Sequence, residues 1–260
     1  MAIRLPGLVE SLRRRRAVAA WRQAAAAAPG MDPADLAALA PAARELSEAA
    51  RRLSAEADRA LLRPRIAQDG IARPPQCDWA WRPLPWAAAL RPPVIAGVTG
   101  GTALAEGVTL FHDCPLAEIT LRQSRRRDPD APAPFALSLD ALGFDGSFLS
   151  LALDLPRMGA RGLRRSHIVA VKARVRRERP AEMFVRLNIR QGPNIEQLVS
   201  ELMPANGAEA ALGAEFDLGF QEINPDKLEH AWLDLIFERP AMNRVVVEDL
   251  TLARRPRADI

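Results

Sequence analysis

The feature that most constrains this chain is a series of segments in which apolar and polar residues alternate. The clearest covers residues 230–238, where Ala231, Leu233, Leu235 and Phe237 alternate with Trp232, Asp234, Ile236 and Glu238. A period of two puts successive side chains on opposite faces of a strand, so one face is buried and the other meets solvent. Similar alternation recurs over 149–155, 169–176 and 183–190, with no long helical pattern between the segments. Because a parallel sheet needs crossover helices, the series predicts a mainly β protein, an antiparallel, jelly-roll-like β-sandwich.

Three parts of the chain differ in composition and define the predicted domains. Residues 1–63 show helical spacing of apolar residues, with Asp32 and Pro33 suited to the start of a second helix and Pro41 expected to break or kink it. We predict an N-terminal helical arm or hairpin over 1–63, a Pro- and Trp-rich packed connector over 64–106, and the sandwich over 107–260. Within the connector, residues 64–93 are expected to be irregular chain held down by Trp79, Trp81 and Trp86. The alternative, which we do not favour, is that these tryptophans form a binding platform.

Composition excludes several classes of protein. No apolar run reaches the ~18–20 residues of a membrane span, and the chain arrives at the block Arg13 to Arg16 without the apolar core of a secretory signal. A cytoplasmic location is therefore the prediction. Two cysteines are too few for a disulfide framework. The net charge of +4 is modest, which predicts no specific nucleic-acid partner, while the basic N-terminal helix leaves peripheral membrane contact open.

Two short motifs carry potential chemistry. His112 and Cys114 could act as a base and a nucleophile, or as half of a metal site with Cys77 and His167. The alternative, which we favour, is a turn at Pro115 with a small buried thiol. The segment 97–102 resembles a phosphate-binding loop but lacks its lysine and a following helix, which favours a plain turn. We predict no catalytic residue, no metal and no cofactor, and the question of an enzyme stays open with a preference against it.

Several segments carry a resemblance to a known family. They are FHDCP at 111–115, FDGSFLS at 144–150, RLNIRQGPN at 186–194, AWLDLIF at 231–237, DLTLARRP at 249–256 and DWAWRP at 78–83. Together they resemble an uncharacterised bacterial family, a domain of unknown function. The order of strands is also similar, more distantly, to that of galactose-binding-like jelly rolls and carbohydrate-binding modules. That second resemblance concerns the fold, which by itself does not determine function.

The outward face of the predicted sheet is the candidate ligand-binding surface. Arg186, Asn188 and Arg190 alternate on one strand, Trp232 and Asp234 on another, and Asn194 follows a Gly-Pro turn. An aromatic platform beside amide, guanidinium and carboxylate groups suits a sugar, because stacking and oriented hydrogen bonds act together. The alternative is a solvated face on which the proline-rich segment or the N-terminal helices cover Trp232.

The function predicted from these residues is a non-catalytic binding module for a glycan or a protein partner. The main alternative belongs to another class. It is a structural or assembly protein whose basic helical arm mediates oligomerisation or attachment to a membrane surface.

Overall fold

The structure, a computed structural model, describes residues 8–67, 70–128, 130–205 and 208–257. Its helices are α1 (Leu8–Ala27), α2 (Pro33–Ala67), α3 (Leu84–Ala87) and α4 (Arg157–Arg161). Its strands are β1 (Trp79–Trp81), β2 (Val94–Ala96), β3 (Thr102–Ala105), β4 (Val108–His112), β5 (Ile119–Arg125), β6 (Phe135–Ala141), β7 (Leu149–Asp154), β8 (His167–Arg177), β9 (Met183–Gln191), β10 (Asn194–Glu201), β11 (Met203–Ala205), β12 (Ala208–Asp217), β13 (Leu228–Phe237) and β14 (Asn243–Pro256). Contacts between residues divide the chain into two compact units, Met1–Asp58 and Arg59–Ile260.

The first unit contains α1 and the first part of α2, as the sequence predicts. Asp32 caps α2, since its Oδ1 accepts a hydrogen bond from the Ala34 amide at 2.8 Å and Pro33 occupies the first turn. Of the break or kink predicted at Pro41, the break is wrong, because α2 continues to Ala67. A proline removes one backbone hydrogen bond, and a helix of 35 residues keeps the others on both sides of it. No helix in the described part of the chain is long and apolar enough to cross a membrane.

The second unit is the predicted antiparallel β-sandwich, built from two sheets. The eight-stranded sheet has the order β11-β12-β8-β14-β6-β5-β2, with β1 paired to β14 beside β6. The six-stranded sheet has the order β10-β9-β13-β7-β4-β3. Apolar residues at alternate positions of both sheets fill the space between them. On β13, for example, Ala231, Leu233 and Leu235 are fully buried, which is the face that the alternation predicts.

The prediction that residues 64–93 are irregular chain needs correction. This stretch contains the end of α2, strand β1 and helix α3, and the following residues add β2 and β3. Along one edge of β14, strand β6 pairs with residues 243–247 only. Strand β1 pairs with residues 252–254 on the same edge. The three tryptophans do anchor the segment: Trp86 is fully buried and donates to the Val247 carbonyl at 2.8 Å, while Trp79 and Trp81 pack against the core. The predicted domain boundaries at residues 63 and 106 stay predictions.

Candidate functional site

A groove of about 440 Å³ lies on the outer face of the six-stranded sheet, away from the core. Its lining comes from four neighbouring strands, the turn before β4 and the loop before β7, and comprises Gly107, Thr109, Phe111, Phe148, Ser150, Ala152, Asp154, Arg186, Arg190, His230, Trp232 and Asp234. The strand register explains the grouping. Asp234 pairs with Arg186 on one side and with Ala152 on the other, and Ala152 in turn pairs with Thr109. Residues in one row across a sheet point to the same face, so these side chains share the groove.

The floor of the groove is a buried polar network around Asp234. Its Oδ2 accepts hydrogen bonds from Arg186 Nε and Asn188 Nδ2, both at 2.9 Å, and Arg186 Nη2 lies 2.8 Å away. Asn188 Oδ1 accepts from Gln197 Nε2 at 3.1 Å. The other oxygen of Asp234, Oδ1, accepts no hydrogen bond from the described residues. The network therefore holds one carboxylate rigidly at the floor of the groove, with 5% of its side chain exposed.

Trp232 forms one wall and is half-buried. The His230 ring stacks on it, with ring centroids 5.3 Å apart, and the Arg190 guanidinium lies 5.9 Å from the indole centroid. His230 is held in turn by Asp154, whose Oδ1 is 3.1 Å from His230 Nε2. The indole is thus fixed in orientation by a stacked ring and a cation, and part of its surface stays open to a ligand.

Two phenylalanines, Phe111 and Phe148, add apolar surface to the groove and are 43% and 45% exposed. The loop before Phe148 is tied to the turn after β4. Asp113 accepts hydrogen bonds from the Ser147 amide at 2.7 Å and the Ser147 hydroxyl at 2.6 Å. The bond from the Ser147 side chain is the main cause that lowers the pKa of Asp113 below its ordinary value. A Cβ on Gly146 would lie 2.5 Å from Asp113 Oδ1, so only glycine lets the two segments meet this closely.

The structure places four of the six residues predicted for the ligand site in the groove and two outside its lining. Arg186, Arg190, Trp232 and Asp234 line the groove together. Asn188 is fully buried beneath it, so it supports Asp234 and does not reach a ligand. Asn194 lies at the hairpin between β9 and β10 outside the lining, because it pairs with Gln191, whose side chain points away from that of Arg190.

Sequence reasoning missed the opposite half of the groove. Phe111 and Phe148 were not proposed as ligand-binding residues, nor were Asp154 and His230. The signal available was the alternation on β4 and β7, which places Thr109 and Phe111, and Ser150, Ala152 and Asp154, on outward positions. Alternation identifies a face but not which strands are neighbours, so the pairing of β13 with β7 was needed to bring these residues beside Trp232.

The three tryptophans of the connector do not cover Trp232. Trp79 and Trp81 lie on β1 in the other sheet, and Trp86 is in the core.

The turn with a buried thiol is also confirmed. His112 uses both ring nitrogens on backbone groups, Nε2 with the Val98 carbonyl at 2.9 Å and Nδ1 with the Cys114 amide at 3.2 Å, while Cys114 Sγ donates to Asp145 at 3.1 Å. Residues 97–102 form the expected turn, with Gly97 and Gly101 at positive φ. Within the described residues, no three His, Cys, Asp or Glu side chains are grouped to hold a metal ion.

Fold and groove together define a β-sandwich with one concave polar-aromatic face. The chain belongs to a family of unknown function, DUF6478, whose model matches residues 1–260. None of the curated proteins matches the chain.

Solved structures with similar folds include three with carbohydrate-binding modules. The xylan-binding CBM22-1 domain of Paenibacillus barcinonensis is 10% identical with a TM-score of 0.37, over 64% of this chain and 94% of that one. A family 11 carbohydrate-binding module from Clostridium thermocellum, in complex with a β-1,3-1,4-mixed-linked tetrasaccharide, is 9% identical with a TM-score of 0.38, over 64% and 96%. The CBM22-1 and GH10 modules of endo-1,4-β-D-xylanase 10B from the same organism, complexed with xylohexaose, are 9% identical with a TM-score of 0.38. The match covers 60% of this chain and spans about a quarter (27%) of that one.

Proposed function

We propose that this protein is a non-catalytic module that binds a glycan in the groove of the six-stranded sheet. The observation that carries the proposal is the half-buried Trp232 beside the ion-paired Asp234 floor. A sugar ring has an apolar face and a rim of hydroxyls, so it needs an aromatic surface next to fixed donors and acceptors. The groove supplies both, and its volume of about 440 Å³ lies within the ~300–1,000 Å³ typical of small-ligand sites.

Five groove residues have a part in this binding mode. Trp232 stacks on the sugar ring, and Phe111 and Phe148 extend the apolar contact. Asp234 Oδ1 accepts a hydrogen bond from a hydroxyl, and Arg186 donates one with the part of its guanidinium that faces the groove; its side chain is 36% exposed. Since Asp234 and Arg186 already hold each other, little ordering entropy is lost when the ligand binds.

The test is binding of the purified full-length protein to a glycan array, followed by calorimetry with the best glycan. Trp232→Ala removes the stacking surface, so binding should fall below detection while the melting temperature stays within a few degrees. Phe220→Ala is the matched control, because Phe220 is an aromatic residue with 76% of its surface exposed and lies outside the groove lining. A wild-type protein that binds no glycan, or a Trp232→Ala variant that binds as tightly as the wild type, would overturn the proposal.

One observation favours the assembly function as a second candidate. Leu39, Leu46 and Leu53 recur on α2 every seven residues and are 37%, 48% and 72% exposed. Apolar residues at heptad spacing form a seam that a partner helix covers. We infer that this seam pairs with the same helix of a second copy of the chain.

Light scattering on the eluting full-length protein tests the second candidate. A dimer in the wild type that becomes a monomer in Leu39→Gln/Leu46→Gln/Leu53→Gln supports self-association, since glutamine keeps the helix but removes the apolar seam. A wild-type monomer at all concentrations argues against it. Retained glycan binding in the monomeric variant would show that the two functions are separate.

A further inference from the structure

The outer face of the eight-stranded sheet carries a dense arrangement of positive charge. Glu248 on β14 lies among three guanidinium groups: Arg126 Nη1 is 3.1 Å from its Oε2, Arg174 Nε is 3.3 Å from Oε2, and Arg176 Nε is 2.5 Å from Oε1. Lys172 is the next outward residue of β8 before Arg174, and it is exposed. One carboxylate neutralises one charge, so these four cations and one anion leave an excess of three positive charges.

Glu248 is an organising residue for this array. Only 8% of its side chain is exposed, whereas the Arg174 and Arg176 side chains are 58% and 68% exposed. Burial alone would raise the pKa of Glu248, but Arg126 and Arg176 outweigh it and hold that pKa below its ordinary value. The carboxylate is therefore fixed below the surface and orients guanidinium groups that extend into solvent.

A groove of about 600 Å³ continues from this array past the end of β8. Arg176 belongs to both the array and this groove. Arg177, Arg179 and Arg244 also line the groove, whose lining contains one acidic residue, Glu178. Asp140 on β6 binds Arg244. We define the basic face as Arg126, Lys172, Arg174, Arg176, Arg177, Arg179 and Arg244. With the acidic residues Asp140, Glu178 and Glu248, its formal charge is +4 (7 minus 3), equal to that of the whole chain.

One polar atom on this sheet, Ser138 Oγ, is buried without a hydrogen-bond partner among the described residues. Ser138 is 6% exposed and lies in one row across the sheet with Val246 and Arg176. Because Ser138 Oγ is enclosed, the exposed guanidinium groups of Arg174 and Arg176 are the donors that a ligand can reach.

The kind of anion follows from what surrounds the arginines. Arg174 and Arg176 are two residues apart on one strand, so their outward side chains are separated by about 6.6 Å along the strand, and the groove adds charges in the same direction. Such a row suits successive charged groups of a polymer better than a single ion. The groove lining contains no aromatic residue, whereas a surface for single-stranded nucleic acid stacks bases on aromatic side chains.

We propose that the basic face is a second ligand site, which binds an acidic polysaccharide through its sulfate or carboxylate groups. Arginine presents paired N–H donors that match both groups. The site shares no residue with the groove around Trp232 and does not depend on the function proposed for that groove.

The probe is dextran sulfate, with unsulfated dextran as the uncharged polymer and single-stranded DNA as the competing polyanion, titrated at two salt concentrations. Arg174→Gln/Arg176→Gln should weaken the binding of dextran sulfate about tenfold or more and reduce its salt dependence. Arg13→Gln/Arg15→Gln, on α1, is the matched control, because it removes the same charge from exposed residues elsewhere. Trp232→Ala should leave this binding unchanged, which separates the outcome from that of the groove.

Folding effects are controlled by a further variant. Arg179→Gln alters an exposed side chain of the basic face, and it should weaken binding by a few-fold without lowering the melting temperature. Equal losses in the α1 control and in Arg174→Gln/Arg176→Gln would mean that net charge alone drives binding, and this would overturn the proposal. Tighter binding to DNA than to dextran sulfate, or equal binding to dextran and dextran sulfate, would overturn it as well.

Discussion

Single residues decide how the groove presents its carboxylate. Asn188 is the clearest example, because it has no exposed surface and, together with Arg186, holds one oxygen of Asp234. Its amide group occupies Asp234 Oδ2, and its own oxygen is satisfied by Gln197. A buried amide with partners on both sides is costly to remove, since each partner is then left unsatisfied.

Asn188→Ala is therefore expected to destabilise the protein by about 1–3 kcal/mol and to weaken glycan binding, although the residue does not touch the ligand. Gln197→Ala is the control, since Gln197 is exposed and water can replace its bond, so its cost should stay below about 1 kcal/mol. Urea unfolding and calorimetry on the same samples measure both effects. Wild-type stability and affinity in Asn188→Ala would contradict the proposed part of Asn188.

At the scale of elements, β1 shows how a strand too short to predict is held in a sheet. Its Trp79 packs against α4, where Gly159 allows the close approach. Asp78, just before β1, accepts from Arg254 Nε at 2.9 Å and from Arg254 Nη2 at 3.0 Å. A strand with only three paired residues is not stable in a sheet by itself. The Trp79 contact and the Asp78–Arg254 ion pair therefore provide the additional stabilisation of β1.

A test of this anchor is Gly159→Ala. A Cβ there would lie 2.3 Å from Trp79 Cζ2, so the indole or α4 must shift, with a cost of about 1–3 kcal/mol. Gly30→Ala is the matched control, because nothing lies within 4 Å of its added Cβ, and it should be neutral or slightly stabilising. Thermal unfolding of both variants gives the comparison, and equal melting temperatures would show that β1 is not held by this contact.

At the scale of the whole molecule, ion pairs join parts of the chain that are far apart in sequence. Burial raises the pKa of Asp78 and of Glu248, but their arginine partners outweigh burial and leave both below the ordinary value. A carboxyl group whose folded pKa is depressed stabilises the fold above its unfolded pKa, and this contribution is lost as the pH falls through the folded pKa. His167 also makes the fold less stable at low pH, because burial lowers its pKa and folding therefore disfavours its protonation.

The free energy of unfolding should accordingly decrease as the pH falls below about 6.5, through His167, and more steeply below about 4.5, through the carboxyl groups. Urea unfolding at a series of pH values measures this profile. Glu248→Gln cannot titrate, so its profile should be flatter below pH ~4.5 than that of the wild type. Identical slopes in the two proteins would show that the arginines around Glu248 do not stabilise its charged form.

Much of the fold is readable in the sequence because burial on one face enforces a period of two. The alternation on β7, β8, β9 and β13 predicts the core faces and the sandwich, and Asp32 and Pro33 predict the start of α2. The same alternation places Arg186, Arg190, Trp232 and Asp234 on one outward face. Asn188 follows the same alternation but is fully buried, because packing decides which outward side chains are covered by their neighbours.

What only the tertiary structure decided is which strands are neighbours, because register and strand order depend on contacts distant in sequence. The pairing of β13 with β7 brings Asp154 to His230 and completes the groove. The position of β14 between β8 and β6 brings three arginines to Glu248. Alternation along the sequence determines which residues face outward, and the free energy of packing two whole sheets determines which of them meet.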